Sequence, residues 1–290
     1  MQALGIDIGG TKISYALIDE NSEIKSEIKK ISTPKTKDEI FKTLKDIISK
    51  FENEIEFCAI ATAGAVNNAN NKVLGSTANL ANGYPEIDFS SLSNKKVFIE
   101  NDANCAAWAE YKIGASKGYN NSVMLTLGTG VGGGIIINGQ LLKGSKGTAG
   151  EMHFKMSRKK ERQCTCGEFD CFEAYASGNG LRKTAIEITK NENITTYDVI
   201  EGVKNNDNKC VLALQTWQND IKDGIIGLTN IFNPYCFILS GSMEKFVDTN
   251  WIENEVNKSS LVGSVKIFHA KAGNYSGMIG AVLLAFDKLY

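Results

Sequence analysis

Apolar residues near the start of the chain fall at strand spacing. Between Lys12 and Asp19, Ile13, Tyr15 and Leu17 share one face while Ala16 and Ile18 share the other. Residues 4–8 and roughly 56–62 carry similar short apolar runs, and Val97 to Ile99 predicts another short strand. The spacing becomes helical from Lys37 to Phe51, where Ile40, Phe41, Leu44, Ile47 and Ile48 line one face. A second helix is predicted from Ala103 to Ile113, with small residues Ala106, Ala107 and Ala109 that permit close packing. The closing stretch, Ser276 to Leu289, predicts an apolar helix able to pack back on the first part of the chain.

One pattern occurs twice. Leu4-Gly5-Ile6-Asp7-Ile8-Gly9-Gly10-Thr11-Lys12-Ile13 and the run from Leu125 through Gly128-Thr129-Gly130 to Ile137 are each an apolar strand, a Gly/Thr turn and a second strand. Glycine permits positive φ and has no Cβ to hold a phosphate away, so each turn can present bare backbone N–H groups to an anion. The spacing is neither G-x-G-x-x-G nor that of a Walker loop, and a strand rather than a helix follows the first turn. A phosphate would therefore sit on a hairpin. Glycine-rich hairpins without a ligand are also common in α/β proteins, but Asp7 and Thr11 add the carboxylate and hydroxyl that Mg²⁺ with its retained waters requires. A nucleotide held by two related halves is the reading that follows. The polar, glycine-containing stretch from Gly114 to Asn121 marks the expected boundary. It gives a small lobe of 1–114 with 276–290 and a larger one of 115–275.

Composition narrows the classes. The chain has 290 residues and 42% hydrophobic content, enough for two domains with full cores. A net charge of −1 gives no global reason to bind nucleic acid or an anionic membrane. No apolar stretch is long enough to span a bilayer, and the first strand begins by Leu4 with no signal-type segment before it, so the cytoplasm is the expected location. Seven cysteines, an odd number scattered along the chain, read as reduced thiols.

Two clusters carry chemistry. In Ile99-Glu100-Asn101-Asp102-Ala103-Asn104 a strand runs into a helix, placing Asp102 near an N-terminus that favours its ionised form. Such an Asp can be a cap alone. Beside phosphate turns it can also accept the proton of a hydroxyl undergoing phosphoryl transfer. The second cluster is Cys164, Cys166 and Cys171 with His153, a Cys₃His set suited to a closed tetrahedral Zn²⁺ site that orders a loop. Surface thiols without a metal are the alternative. Glu151 and Glu173 lie just outside the first and last of these residues. His269, without ligand-like neighbours, reads as structural.

These motifs resemble the ROK family of bacterial sugar kinases, in family order: Gly5 to Lys12, Glu100 to Asn104, Leu127 to Gly134, Cys164-Thr165-Cys166-Gly167 with Cys171-Phe172-Glu173, and Gly277 to Ala281. The resemblance implies a two-lobed α/β architecture of the actin-like (ribonuclease H-like) ATPase and sugar-kinase fold, with internal duplication. It implies transfer of the γ-phosphate of ATP to the 6-hydroxyl of a hexose, with Mg²⁺, a structural zinc, a cleft that closes on the sugar, and a homodimer. Glucose is the first expected substrate and N-acetylmannosamine the second, ahead of fructose or allose. A non-catalytic sugar-binding regulator is the remote alternative, and a repressor of the family would need a helix-turn-helix domain before Leu4. Carried over by position, Asp102 is the base, while Gly64, Asn101, Glu151, His153 and Glu173 hold the sugar. Asp7, Gly9, Gly10, Thr11, Lys12, Thr129 and Gly130 serve the phosphates and metal, and Gly241 approaches the adenosine. His153, Cys164, Cys166 and Cys171 form the zinc set. Three departures stand out: Glu151-Met152-His153 is one residue shorter than the family's Glu-x-Gly-His, and Asp170 and Ser242 replace frequent glycines.

Overall fold

The computed structural model describes residues 1–76, 80–259, 261 and 263–290. Contacts divide it into two compact units. The first comprises Met1–Asn120, Gly134–Gly150 and Lys271–Tyr290, and the second Asn121–Gly133 and Glu151–Ala270.

Strands β1 (Gln2–Ile8), β2 (Lys12–Asp19), β3 (Lys29–Ser32) and β4 (Phe57–Thr62) lie in one sheet of the first unit, and β5 (Ala65–Val66) pairs with β6 (Val73–Gly75) apart from it. The sheet is completed by β7 (Lys96–Asn101), in the order β3-β2-β1-β4-β7. Neighbours are antiparallel from β3 to β1 and parallel from β1 through β4 to β7. Both faces are buried, which explains why β4 is apolar at every position but the last. Cys58 and Ile60 join Leu4, Ile6 and Ile8 beneath helix α1 (Lys37–Ser49). Phe57, Ala59 and Ala61 join Ala3, Ala16 and Phe98 under α2 (Asp102–Ile113) and the C-terminal helix. α1 begins where Thr36 and Glu39 form a capping box, and it ends two residues before the Phe51 of the sequence reading.

The second sheet contains β8 (Ser122–Leu127), β9 (Val131–Ile137), β10 (Gln140–Leu141), β11 (Cys236–Ser240) and β12 (Lys266–His269), in the order β10-β9-β8-β11-β12. Its β8-β11-β12 part is parallel, and β10 returns antiparallel to β9. The order repeats that of the first sheet, so the duplicated sequence pattern corresponds to a duplicated topology. Helices α3 (Glu173–Ala176), α4 (Gly178–Thr189), α5 (Thr196–Lys204), α6 (Asn208–Phe232) and α7 (Thr249–Ser259) complete the second unit. Trp217 of α6 is fully buried and its Nε1 donates to the carbonyls of Ala176 and Ser177, fixing α6 against the α3–α4 junction. Helix α8 (Ser276–Leu289) returns to the first unit at the bounds its sequence predicts.

The contact division also places 115–120 and 271–275 with the first unit, and it differs most from the sequence boundary in a third segment. Gly134–Gly150, read as part of the larger lobe, groups with the first unit. Lys143 reaches Glu100 and the carbonyl of Asn67, and Asn68 Nδ2 donates to the carbonyls of Gly144 and Ser145. Among the described residues no helix is long and apolar enough to cross a membrane.

Candidate functional site

The first unit holds the turn Gly9-Gly10-Thr11 and the start of α2. Gly9 N donates to Lys12 O at 3.0 Å, and Thr33 braces the turn through Oγ1 to Gly9 O at 2.6 Å and N to Thr11 O at 3.1 Å. Thr11 and Lys12 are exposed. Asp7 lies on the strand leading into the turn, where burial pushes its carboxyl above the usual range and Lys12 partly offsets the effect. Asn101 is the N-cap of α2: its Oδ1 accepts from Asn104 N at 3.0 Å while Nδ2 donates to Gly64 O at 3.0 Å. Asp102 is therefore the first helical residue, not the cap, and its Oδ1 accepts from Ala103 N at 2.8 Å. The positive end of α2 favours its ionised form.

Behind Asp102 lies a network that the sequence reading missed. Glu100 is fully buried and pairs with Lys143 Nζ at 2.6 Å. The same carboxylate accepts from Asn70 Nδ2, Asn101 N and Asn104 Nδ2. These contacts of Glu100 tie the strand–helix junction to Asn70 and Lys143. Nearby, Thr62 Oγ1 and Tyr84 Oη lie 2.7 Å apart, and burial pushes the Tyr84 phenol up.

The second unit carries the matching turn. Gly128 N donates to Gly130 O at 3.0 Å, Gly178 N donates to Gly128 O at 2.8 Å, and Thr129 is exposed at the tip. The positive φ that glycine permits is not used at these turns: none of Gly9, Gly10, Gly128 and Gly130 is left-handed. Gly130 leaves room for Glu173 instead, since a Cβ there would lie 2.4 Å from Glu173 Oε2. Left-handed φ occurs at two other expected site residues, Gly64 at 106° and Gly241 at 91°. A Cβ on Gly241 would also meet Leu127 O at 2.4 Å, so this glycine lets the chain after β11 pass close to the strand end that leads into the Gly128–Gly130 turn. Ser242 has no left-handed φ to accommodate.

Cys164, Cys166 and Cys171 place their sulfurs within 4.8 Å of one another. The Cys166 and Cys171 sulfurs are 3.6 Å apart, close to the about 3.8 Å between two thiolates on one tetrahedral zinc with Zn–S bonds of about 2.3 Å. The three thiols therefore fit one soft cation. Burial raises Cys164, and it pushes Cys171 up to about 12, whereas the backbone N–H of Glu168 lowers Cys166. Metal entry must consequently displace protons. Asp170 stands in the left-handed region at φ 60°, where the family often has glycine, and the strain is offset by its carboxylate. That carboxylate accepts from the backbone N–H of Lys160, Glu161 and Arg162 and from Tyr175 Oη.

His153, expected as a fourth ligand, is not in the thiol group; its Nε2 lies 3.8 Å from Glu173 Oε2. The segment 151–154 has no helix, so Met152 turns into the core at 2% exposure while Glu151 and His153 share the outer side. Glu173, expected at the sugar, is shared: Oε2 accepts from Val131 N at 3.0 Å, and Oε1 accepts from Thr165 Oγ1 at 2.5 Å. A cavity of about 240 Å³ opens here, lined by Thr129, Thr165, Glu173, Ser177, Asn179 and Arg182 among others. His269 contacts Glu244 and stands apart from these groups.

Comparison with known proteins gives this geometry its family. A model of the ROK family matches residues 3–288. A glucokinase from Streptomyces coelicolor is 32% identical over 318 residues, covering 97% of this chain and 96% of that protein. An N-acetylmannosamine kinase from Haemophilus influenzae is 29% identical over 300 residues, covering 100% and 97%. Among solved structures, a ROK family glucokinase from Streptomyces griseus in complex with glucose and AMPPNP is similar at a TM-score of 0.81 and 28% identity, covering 99% of this chain and 100% of that one. A ROK hexokinase from Thermus thermophilus shares the fold at a TM-score of 0.86 and 24% identity, covering 100% and 99%. The duplicated sheets, the turn in each unit and this nearly end-to-end match lead to one assignment: the chain belongs to the ROK family of sugar kinases, built on the actin-like ATPase fold.

Proposed function

We propose that this chain transfers the γ-phosphate of ATP to the 6-hydroxyl of a hexose, and that the hexose is glucose. The observation that carries the reading is Asp102 at the first position of α2, held by the Ala103 N–H with its helix start fixed through Asn101 and Glu100. A carboxylate placed in this way can accept the hydroxyl proton as the sugar oxygen attacks the γ-phosphorus and the bond to the leaving ADP oxygen breaks. The Gly9–Thr11 and Thr129–Gly130 turns supply backbone and hydroxyl donors for the phosphates. Asp7 and Thr11 are the groups suited to hold Mg²⁺ through its waters, and that ion would offset phosphate charge. Lys12, exposed on its strand, is assigned to the phosphates as a long-range charge.

Asn101, Glu151, His153 and Glu173, with the carbonyl-bearing turn at Gly64, are assigned to the remaining ring hydroxyls, and Gly241 to the adenosine. The three thiols are assigned to a structural Zn²⁺ with His153 as fourth ligand, a role that requires one of its ring nitrogens to come closer to the sulfurs than it stands here. A cytoplasmic homodimer completes the reading.

N-acetylmannosamine kinase is the second reading, favoured by the full-length Haemophilus influenzae relative. The two sugars differ at carbon 2. A coupled ADP-release assay over glucose, fructose, allose, mannose and the N-acetylhexosamines separates them: the proposal expects the highest kcat/KM with glucose, and a preference for N-acetylmannosamine selects the alternative.

A further inference from the structure

The Glu173 carboxylate touches two structures that the catalytic reading treats separately. One oxygen, Oε2, accepts the buried Val131 N–H at 3.0 Å, immediately after the Thr129–Gly130 turn. The other, Oε1, accepts from Thr165 Oγ1 at 2.5 Å and from Cys164 Sγ at 3.4 Å, both in the thiol loop. The packing is close: a Cβ at residue 130 would lie 2.4 Å from Oε2, so a side chain there would push the carboxylate out of its place.

We propose that Glu173 is a positioning residue for the nucleotide: it ties the thiol loop to the second phosphate turn, so that order in the loop sets the aim of the turn's N–H groups before any sugar arrives. This deepens the proposed function and rests on its reading of Thr129–Gly130 as a phosphate site.

The physical case is one of satisfaction and constraint. Val131 N is buried, and removing its acceptor leaves a donor that must find water or move the turn. A charge-assisted bond to a carboxylate is stronger than one to a neutral acceptor, which makes this contact a stiff one. On the opposite side, Gly178 N donates to Gly128 O at 2.8 Å, and across the hairpin Thr126 Oγ1 accepts from Gly132 N at 3.0 Å. The loop end is equally specified, because Cys164 N donates to Glu168 O and Gly167 N donates to Cys164 O, so Thr165 sits in a closed turn beside two of the sulfurs. Anything that loosens this turn releases Oε1 and with it the orientation of Oε2. A carboxylate has enough lone pairs to keep both contacts and still receive a sugar hydroxyl, so the role adds to the assigned one.

The test reads nucleotide without sugar. Binding of a non-hydrolysable ATP analogue with Mg²⁺ is measured by calorimetry for wild type, Glu173→Ala and the exposed-loop variant Thr165→Val. Amide hydrogen exchange at Val131 is followed in all three, with Ile60 of the other unit as control. The expected result is an about tenfold weaker Kd for Glu173→Ala and a smaller loss for Thr165→Val. Val131 protection should fall in both while Ile60 is unchanged, and chelator-treated wild type should shift in the same direction. Unchanged analogue affinity and unchanged Val131 protection in both variants would overturn the proposal, whatever happens to sugar binding. If wild type binds no analogue, the phosphate reading of the turn fails instead, and Val131 protection alone then decides whether Glu173 orders it. Thr165→Val, on the surface of the loop, keeps the test open if Glu173→Ala does not fold.

Discussion

Lys143 Nζ lies 2.6 Å from Glu100 Oε2, with the carboxylate wholly buried and the lysine nearly so. Glu100 comes from the strand that delivers Asp102 and Lys143 from the segment that ends just before Glu151. Removing one partner of such a pair strands the other charge, at a cost of about 3–5 kcal/mol. Lys143→Met should lower stability by that order in chemical denaturation. Lys143→Met with Glu100→Gln should recover part of the loss, because no lone charge remains. A double variant as unstable as the sum of the singles would show that the two residues do not act as a pair.

Asp7 links stability to function in the opposite sense. Burial raises its pKa, so between its ordinary value of 3.8 and the raised one the native state holds more protons than the unfolded chain, and stability falls as pH rises through that window. Asp7→Asn should therefore raise Tm near neutral pH by about 2–4 °C for each kcal/mol relieved, with the gain shrinking in acid. The same variant should lose phosphoryl transfer. A lower Tm at pH 7 would show that the ionised carboxylate is well accommodated.

The junction of α2 and α8 tests packing. A Cβ on Gly280 would fall 1.8 Å from Cys105 O, a backbone atom that cannot step aside, whereas one on Gly227 of α6 meets nothing within 4 Å. Gly280→Ala should destabilise by about 1–3 kcal/mol or more through overpacking. Gly227→Ala should be neutral or stabilising by up to about 1 kcal/mol, since alanine is the better helix former. Equal thermal melts for the two variants would contradict this contact.

Metal analysis should find about one Zn²⁺ per chain, as for a closed four-ligand site. Asp170→Gly relieves the left-handed backbone yet removes the acceptor for three backbone N–H groups and Tyr175. It should weaken zinc retention about 10–100-fold, the usual range for outer-shell support. Retention at the wild-type level would mean that backbone shape alone holds the loop. His153→Ala should weaken both zinc and sugar, and full zinc retention with unchanged sugar binding would remove His153 from both sets.

The elements legible in the sequence were those set by local pattern. The duplicated hairpin, α8 and the strand into α2 depend on spacing within a few residues, and the duplicated sheet order follows from them. The thiol trio was legible because its members are close in sequence. What was not legible depends on contacts between distant residues. Lys143 and Asn70 read as ordinary polar positions until the fold closes them on Glu100. Gly64 and Gly241, not the phosphate-turn glycines, carry the left-handed backbone, since φ is decided by where the chain must turn next. Helices α4 and α6 hold the segment around the thiol loop, through Arg162 to Thr184 and Glu187 and through Arg158 to Asp220, and the motif-based reading left them unassigned. Glu173 could have been suspected from Gly130 only by knowing that the two meet.

The central claim is that Asp102 accepts the proton of a hexose hydroxyl during phosphoryl transfer from ATP. Steady-state turnover of Asp102→Asn with glucose, alongside equilibrium glucose binding and a thermal melt, tests it most directly. The predicted result is unchanged folding and glucose affinity with kcat reduced by about 10²–10⁴, the range of a positioned general base. Near-normal kcat in a folded, glucose-binding Asp102→Asn protein would contradict it.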